Sequence, residues 1–367
     1  MREYLDGNSA IVRGALAAGC TFFAGYPITP ASGILMAMMS ELPRRGGVAI
    51  QGENEIASIG MCIGAAMSGA RAMTATSGPG ISLYSENIGL AVMGEVPLVI
   101  VDVQRLGPAT GGATTVGQAD VQFVRWGTSG GYPIIALSPS TVAECYTLTA
   151  RAFDLAERFR CPVFVLTDKE IAMTLATVEA AAFGEVAVRE RVLATAGAPY
   201  AYDPAGAVPP MHRYGLGDPV RFTGSTHDEE ARITKHAPTV GALNQHLVAK
   251  IEDHRDEIEM VAADPQPGAR TLVVSYGVTA GAARMAIQRA REAGTAVAGL
   301  VVHSLWPVPE TALATALEGI ERVIVPELNL GQYRREIERL AGAREVVGIN
   351  RVDGELIGVE EISEAIG

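Results

Sequence analysis

The chain has 367 residues, which is long enough for two domains with separate hydrophobic cores. Its formal net charge of −12 argues against a nucleic-acid partner, because a phosphate backbone is bound by a basic protein face. The sequence contains no uncharged apolar run of the ~18 residues that a membrane helix needs, and charges interrupt the segment that a signal peptide would occupy. We therefore expect a cytoplasmic protein with no membrane partner.

The cysteines are few and scattered, with no CxxC pair or longer cluster-ligand spacing. We predict that they are reduced and buried. They are Cys20, Cys62, Cys145 and Cys161. His227, Asp228 and His236 could suggest metal ligands, but their spacing matches no common site, and a solvated loop is the better interpretation. The sequence predicts no metal site and no iron–sulfur cluster in this chain.

A helix capped by Asn8-Ser9 is predicted first, followed by a strand over residues 21–25 that ends at the run YPITP. The prolines of this run, Pro27 and Pro30, fix the backbone on both sides of Thr29. The Thr29 hydroxyl should then point from the carboxyl end of the strand, where ligands bind in α/β proteins. The same residues could form only a stiff turn and a helix N-cap, so both interpretations stay open.

Residues 49–80 read AIQGENEIASIGMCIGAAMSGARAMTATSGPG and contain a strand, a helix and a second strand that ends in the turn SGPG. Apolar residues recur at helical spacing after Glu55, which lies in the first turn of a helix that is otherwise nearly free of charge. The helix dipole also favours an acidic side chain in a first turn, so a structural role stays open. Glu53 is close enough to be a rival for a functional role.

The strand over residues 96–101 is apolar throughout, which is typical of a parallel sheet covered on both faces. It leads into Asp102-Val103-Gln104-Arg105, so Arg105 should lie on the ligand side of the sheet. A guanidinium there can bind a substrate carboxylate through two parallel hydrogen bonds, and a surface salt bridge is the alternative. A loop rich in Gly, Thr and Gln follows over residues 107–131.

The chain divides into three regions. Residues 1–180 are predicted to hold a first sheet of about five or six strands alternating with helices. Residues 181–265 are rich in Pro, Gly and charge, and we interpret them as an inter-domain arm with a charged helix over residues 239–261. Residues 266–367 alternate four strands with helices and form a small doubly wound domain. The predicted fold class is α/β.

The runs YPITP, TSGPG, VQR and NLGQ, with the helix of Glu55, occur in an order that resembles the α subunits of 2-oxoacid:ferredoxin oxidoreductases. Residues 49–80 are similar to the pyrimidine-binding domain of thiamine-diphosphate enzymes, and the nine positions from Glu55 to Gly64 favour Glu55 over Glu53. One departure weakens a close substrate assignment. Family members often carry His-Gly-Asp directly after a threonine. In this chain Thr128 is followed instead by Ser-Gly-Gly, residues 129–131.

The resemblance implies a thiamine-diphosphate pyrimidine-binding domain with a parallel sheet, residues 1–180, and a smaller transketolase C-terminal-like domain, residues 266–367, without catalytic residues. It implies that Glu55 hydrogen-bonds the pyrimidine ring, that Thr29 contacts the coenzyme and the 2-oxoacid, and that Arg105 faces the 2-oxoacid. The predicted catalytic residues are Glu55, Thr29 and Arg105. The predicted cofactor-binding residues are Tyr26, Pro27, Thr29, Glu55, Ser77 and Gly78.

The other half of such a coenzyme site, usually marked by Gly-Asp-Gly, is missing from the sequence. Gly217-Asp218 is followed by proline, and Asp353-Gly354 by too short a segment for the rest of the motif. The resemblance therefore implies a β subunit that holds the diphosphate, Mg²⁺ and a [4Fe–4S] cluster, in an (αβ)₂ or larger assembly. The implied substrates are a 2-oxoacid and coenzyme A, with electrons passing to ferredoxin or a similar acceptor.

The pattern is most similar to 2-oxoglutarate members, so the predicted reaction is oxidative decarboxylation of 2-oxoglutarate to succinyl-CoA and CO₂. Pyruvate and branched-chain 2-oxoacids stay open as substrates. A non-oxidative thiamine-diphosphate enzyme would lack a cluster-bearing companion, and a non-catalytic scaffold would tolerate replacement of Glu55 and Arg105. A nicotinamide dehydrogenase would need a G-x-G-x-x-G run after a strand, which the sequence lacks.

Overall fold

The computed structural model describes residues 2–187, 189–194, 196–216 and 219–367. Its strands form a seven-stranded sheet, a five-stranded sheet and a two-stranded ribbon, and all elements are numbered below in chain order. Gly217-Asp218, one of the two runs compared above with Gly-Asp-Gly, lies outside the described residues.

The seven-stranded sheet is parallel except for one edge strand. From edge to edge its strands are β12 (Ser304–Trp306), β6 (Ile135–Leu137), β7 (Pro162–Asp168), β5 (Leu98–Gln104), β4 (Ala72–Thr76), β2 (Phe22–Gly25) and β3 (Val48–Gln51). The central strands β4, β5 and β7 are buried along their whole length, as their apolar sequences require of strands covered on both faces.

Helices cover both faces of this sheet, and each face has its own hydrophobic core. On one face lie α1 (Gly7–Ala17), α2 (Ser32–Arg44) and α7 (Val142–Phe159), and on the other lie α3 (Glu55–Met67) and α5 (Ser85–Met93). Successive residues of a strand point to opposite faces, so Met73 and Ala72 of β4 belong to different cores. Because both faces of the sheet are packed, the ends of its strands are held in place, and so are the residues that follow them.

The seventh strand departs from the predicted five or six. Six strands come from the first 180 residues, but β12 comes from beyond residue 300 and pairs antiparallel with β6. Ser304 pairs with Leu137, and the Trp306 indole donates a hydrogen bond to the Val121 carbonyl at 3.1 Å. A three-residue strand is too short to show an alternation in the sequence, so tertiary contacts decide its pairing.

The five-stranded sheet lies in the C-terminal part of the chain. Its strands are β14 (Glu345–Asn350), β13 (Arg322–Glu327), β10 (Thr271–Ser275), β11 (Val297–Val302) and β9 (Val261–Asp264) in spatial order. The helices that pack on it are α11 (Thr279–Glu292) and α14 (Val359–Ile366) on one face, and α12 (Glu310–Ala316) and α13 (Arg334–Ala341) on the other. The predicted alternation of strands and helices is found here.

The fifth strand of this sheet corrects two predictions. Four strands were expected, and β9 adds an antiparallel edge next to β11. The predicted helix over residues 239–261 is wrong at its end, since α9 (Ala237–Glu252) and α10 (Arg255–Ile258) both stop before β9. Three of the four β9 residues are exposed, so the strand has no buried face that an apolar alternation could reveal.

The remaining elements are short. They are β1 (Arg2–Leu5), which pairs antiparallel with β8 (Ala176–Glu179), α4 (Pro79–Leu83), α6 (Val121–Trp126), α8 (Lys169–Met173) and a 3₁₀ turn (Ala180–Phe183). Asp6 rather than Asn8-Ser9 caps α1, because its carboxylate accepts a hydrogen bond from the Ser9 amide at 2.8 Å. Within the described residues, no helix has the length and apolarity that crossing a bilayer requires.

A buried ion cluster anchors α9, the main helix of residues 181–265, to the first sheet. The Glu95 carboxylate accepts hydrogen bonds from Lys250 Nζ at 2.9 Å and from His246 Nε2 at 3.0 Å, and all three side chains are buried. Burial by itself raises the pKa of Glu95, but Lys250, Arg160 and His246 outweigh it and hold the pKa well below its ordinary value. Glu95 is therefore a charged, paired group inside the protein.

Replacing Glu95 by glutamine should lower the free energy of unfolding by about 3 kcal/mol at pH 7, because it leaves Lys250 without its buried partner. A carboxylate whose folded-state pKa is depressed stabilises the protein above its unfolded-state pKa and loses that contribution as pH falls toward the folded-state value. The difference between wild type and variant should therefore shrink below about pH 4.3, the unfolded-state pKa of glutamate. Urea unfolding at pH 7 and pH 3.5 measures both effects.

The matched control is Glu179→Gln, which removes an exposed ion pair with Arg2. It should cost under ~1 kcal/mol, because solvent screens an exposed pair. Equal losses in the two variants, or a Glu95→Gln effect that is the same at both pH values, would show that the Glu95 cluster does not carry this stability.

Candidate active site

The three runs singled out in the sequence meet at one edge of the seven-stranded sheet. β2, β4 and β5 are parallel neighbours, so the turns that follow them emerge together. YPITP follows β2, SGPG follows β4, and Arg105 follows β5. The sheet order therefore brings residues that are up to 80 positions apart in the chain to one site.

Arg105 is held at this edge by main-chain contacts. Its side chain is buried, and its Nη1 donates a hydrogen bond to the Thr29 carbonyl at 2.7 Å. Its Nε lies 3.3 Å from the position that a Cβ on Gly78 would take, and Gly78 has a positive φ of 45°. A side chain at residue 78 would be strained and would crowd Arg105. Thr29, Gly78 and Arg105 thus form one contiguous group, and Arg105 forms no surface salt bridge with any residue that the structure describes.

The YPITP turn is itself supported by α1. Asn8 is buried, and its Nδ2 donates a hydrogen bond to the Pro30 carbonyl at 3.1 Å. Tyr26 is 37% exposed and Pro27 is exposed, so these two predicted cofactor-binding residues lie at the open rim of the site. Ile56, beside Glu55 on α3, is 52% exposed. Tyr26, Pro27 and Ile56 are thus exposed in this chain, although they flank the buried residues of the site.

Glu55 begins α3 but does not cap it. Asn54 is the N-cap, and its side chain accepts a hydrogen bond from the Ala57 amide at 2.8 Å. Glu55 is only 7% exposed, and its Oε1 lies 3.0 Å from where a Cβ on Gly80 would stand. The carboxylate therefore faces the SGPG turn, while Glu53 is exposed. The structure separates the two rival acids.

Two hydroxyl groups at the junction of β4 and the SGPG turn are buried without a hydrogen-bond partner among the described residues: Thr76 Oγ1 and Ser77 Oγ. Nearby, Thr74 Oγ1 and the Tyr84 hydroxyl are 2.7 Å apart. Burial raises the pKa of Tyr84, so its phenol stays protonated. Unsatisfied buried hydroxyls next to a carboxylate fit the polar edge of a heterocycle such as a pyrimidine.

Sequence reasoning missed two acids of this site, Asp102 in β5 and Asp120 in the loop that follows. Their carboxyl groups face each other, and both side chains are buried beside Arg105. Asp102 carried a signal that could have been used, since an aspartate in the fully buried strand LVIVDVQ needs a partner. Asp120 lies in the loop after Arg105 and gave no comparable signal.

Two family models cover most of the chain. Residues 13–245 match "Pyruvate flavodoxin/ferredoxin oxidoreductase, thiamine diP-bdg", and residues 269–362 match "Pyruvate:ferredoxin oxidoreductase core domain II". The chain is 42% identical over 369 residues to 2-oxoglutarate synthase subunit KorA of Methanothermobacter thermautotrophicus, which covers 99% of this chain and 97% of that protein. The chain belongs to the pyruvate flavodoxin/ferredoxin oxidoreductase family.

Other members of the oxidoreductase family are also similar. Ketoisovalerate oxidoreductase subunit VorB of the same organism is 35% identical over 99% of this chain and 97% of its own length. The structure of 2-oxoglutarate:ferredoxin oxidoreductase from Magnetococcus marinus superposes with a TM-score of 0.94 at 30% identity, over all of this chain and 64% of that chain. The resemblance inferred from the motifs is confirmed, and so is the predicted α/β class with a thiamine-diphosphate-binding domain.

The NLGQ run of the oxidoreductase family has a structural role here. Asn329 Nδ2 donates a hydrogen bond to the Gln118 carbonyl at 2.9 Å, and the Leu328 amide donates one to Gln118 Oε1 at 3.0 Å. Gln332 Nε2 donates to the Ala119 carbonyl at 2.7 Å. The second sheet therefore holds the loop that carries Asp120.

All four cysteines are buried and free, as predicted. Burial raises the pKa of the Cys20 and Cys161 thiols to about 12, and it also raises the pKa of Cys62 and Cys145. Such thiols resist the ionisation that ligation of iron or zinc requires. Among the described residues no group of three or more His, Cys, Asp or Glu side chains could hold a metal ion.

Proposed function

We propose that this chain is the α subunit of a 2-oxoglutarate:ferredoxin oxidoreductase, which converts 2-oxoglutarate and coenzyme A to succinyl-CoA and CO₂ and passes electrons to ferredoxin. One observation carries the proposal. Arg105 contacts Thr29 and Gly78 at the carboxyl ends of the strands, and the Glu55 carboxylate faces the same edge of the sheet through Gly80. Relatives named 2-oxoglutarate synthase, 42% identical over 99% of this chain, support the choice of substrate.

Each proposed residue has one task at this site. When bound, thiamine diphosphate supplies the nucleophilic carbon and the electron sink that decarboxylation of a 2-oxoacid needs. The buried Glu55 carboxyl group would hydrogen-bond a pyrimidine nitrogen, with Ser77 and Gly78 lining the same edge. Arg105 would bind the 2-oxoacid carboxylate through its remaining donors, because one Nη1 bond is already given to Thr29. Tyr26 and Pro27 would contact the coenzyme from the rim.

The proposal includes a β subunit that completes the site. The sequence has no Gly-Asp-Gly run for a diphosphate, and Tyr26 and Ile56 at the rim of the site are exposed. The partner would hold the diphosphate, its Mg²⁺ and a [4Fe–4S] cluster. An (αβ)₂ or larger assembly, a cytoplasmic location and the division at residues 1–180, 181–265 and 266–367 stay predictions.

Branched-chain 2-oxoacids are the second candidate, because the ketoisovalerate relative is 35% identical over nearly the whole chain. The test is an assay of the purified αβ complex with coenzyme A, a low-potential dye and 2-oxoglutarate, pyruvate or 2-oxoisovalerate. We expect kcat/KM for 2-oxoglutarate to exceed the others at least ~10-fold. A preference for 2-oxoisovalerate would favour the second candidate, and CO₂ release without dye reduction would indicate a non-oxidative enzyme.

A further inference from the structure

The buried acids Asp102 and Asp120 meet behind Arg105. Asp102 is 0% exposed and lies inside β5, while Asp120 is 9% exposed and precedes α6. No side-chain donor among the described residues reaches either carboxylate oxygen of Asp102, and Asp120 Oδ2 has no donor there either. The two carboxyl groups lie within hydrogen-bonding reach of each other. Two carboxyl groups can form that bond only if one of them carries a proton.

The charges around the two acids support a single shared proton. Burial, and then Asp120, raise the pKa of Asp102 well above its ordinary value, more than the Gly78 amide and Arg105 lower it. Burial raises the pKa of Asp120 to about 6, against the lowering effects of Asp102 and Arg105. Arg105 is the charged side chain that both acids face. At neutral pH the pair then holds one proton and carries one net negative charge.

The second observation is that the buried Arg105 guanidinium has few hydrogen-bond partners. Arg105 is 4% exposed, its Nε has no hydrogen-bond partner among the described residues, and Nη1 is directed to Thr29. Among the described residues Arg105 has no direct ion pair, so the two acids balance its charge through space. One net negative charge leaves the guanidinium able to bind a substrate anion, whereas two would compete with that anion.

We propose that Asp102 and Asp120 share one proton and act as positioning residues that set how strongly Arg105 holds the carboxylate of its substrate. The NLGQ contacts fix the loop that carries Asp120, so the second sheet maintains the spacing of the two acids. This inference rests on the proposed role of Arg105 as the 2-oxoacid ligand. It adds that the affinity for the 2-oxoacid depends on the protonation of a neighbouring acid pair.

The first test detects the proton without using activity. Infrared spectra of the purified αβ complex, with and without isotope-labelled aspartate, should show the carbonyl stretch of a protonated aspartic acid at pH 7.5. Asp102→Asn should remove this band, because its amide donates the hydrogen bond permanently. If Asp102→Asn fails to fold, Asp120→Asn should shift the band to higher frequency, because the protonated Asp102 then donates to an amide oxygen instead of a carboxylate. Absence of the band in wild type would overturn the inference whatever the kinetics show.

The second test follows KM for the 2-oxoacid from pH 6.5 to 9.5. Wild-type KM should rise about tenfold as the pair loses its proton, since a second negative charge then lies beside Arg105. KM of Asp102→Asn should stay near the neutral wild-type value over the whole range. A KM that rises equally in wild type and Asp102→Asn would overturn the inference.

The matched control is Asp168→Asn. Asp168 is a buried aspartate on the neighbouring strand β7, and burial raises its pKa to about 6. Its carboxylate accepts hydrogen bonds from the Ile171 and Val278 amides rather than facing Arg105. This variant should keep the wild-type pH dependence of KM. A second outcome separates the two proposals. If Arg105→Lys leaves KM unchanged while the infrared band persists, Arg105 does not bind the 2-oxoacid and the two acids do not act through it. The shared proton would still stand.

Discussion

Replacing Glu55 by glutamine is expected to lower kcat of the assembled enzyme at least ~100-fold, the smaller end of the range for loss of a positioned acid or base. Glutamine has nearly the same shape and can still form hydrogen bonds, but it cannot give up or take a proton. Glu55 is buried against Gly80, and Asn54 rather than Glu55 caps α3. The helix and the contact with the partner should therefore survive the change. The measurement is kcat of the αβ complex, together with co-purification and the thermal midpoint.

The control for Glu55→Gln is available two residues away. Glu53→Gln makes the same chemical change at an exposed side chain just before α3. It should leave kcat within about threefold of wild type, because surface substitutions rarely disturb a site. Near-normal turnover in Glu55→Gln, or equal losses in both variants, would contradict the role of Glu55.

Replacing Arg105 by lysine is expected to raise KM for the 2-oxoacid about 10- to 100-fold, which corresponds to loss of a charge-assisted hydrogen bond of about 1.5–3 kcal/mol. Lysine keeps the positive charge but has no planar fork. It cannot bond the Thr29 carbonyl at 2.7 Å and hold a carboxylate with two parallel donors. The effect should appear mainly in KM, since the lost contact binds substrate before and during the reaction.

Arg71→Lys is the matched control for Arg105. Arg71 Nη1 also donates to a backbone carbonyl, that of Ala18 at 2.8 Å, but Arg71 precedes β4 and lies at the opposite edge of the sheet. Its replacement should leave KM unchanged. A KM for Arg105→Lys that equals that of Arg71→Lys would place the substrate carboxylate elsewhere.

The first sheet and its site edge could be predicted because their signals are local. Apolar runs such as residues 96–101 need cover on both faces, and a parallel sheet puts all their carboxyl ends on one edge. Thr29 and Arg105 follow from these two facts once each strand is located. The strand ends do not choose between Glu53 and Glu55. The nine positions from Glu55 to Gly64 favour Glu55 through the family resemblance, and its position beside Gly80 comes only from the structure.

The features that the sequence did not reveal depend on contacts between distant residues. β12 is defined by its pairing with β6, more than 160 positions earlier, and β9 is an exposed edge without an apolar pattern. Asp120 becomes notable only when it is seen beside Asp102. NLGQ was read as a family signature, and its role in holding the Gln118 loop needed the hydrogen bonds that link the two sheets.

The central claim is that this chain binds only the pyrimidine end of thiamine diphosphate and that a partner subunit binds the diphosphate. Calorimetric titration with thiamine diphosphate and Mg²⁺ tests it most directly, on the chain alone and on the αβ complex. We expect tight binding by the complex, weaker binding by the complex with Glu55→Gln, and no measurable binding by the chain alone. Tight, magnesium-dependent binding by the isolated chain would contradict the account.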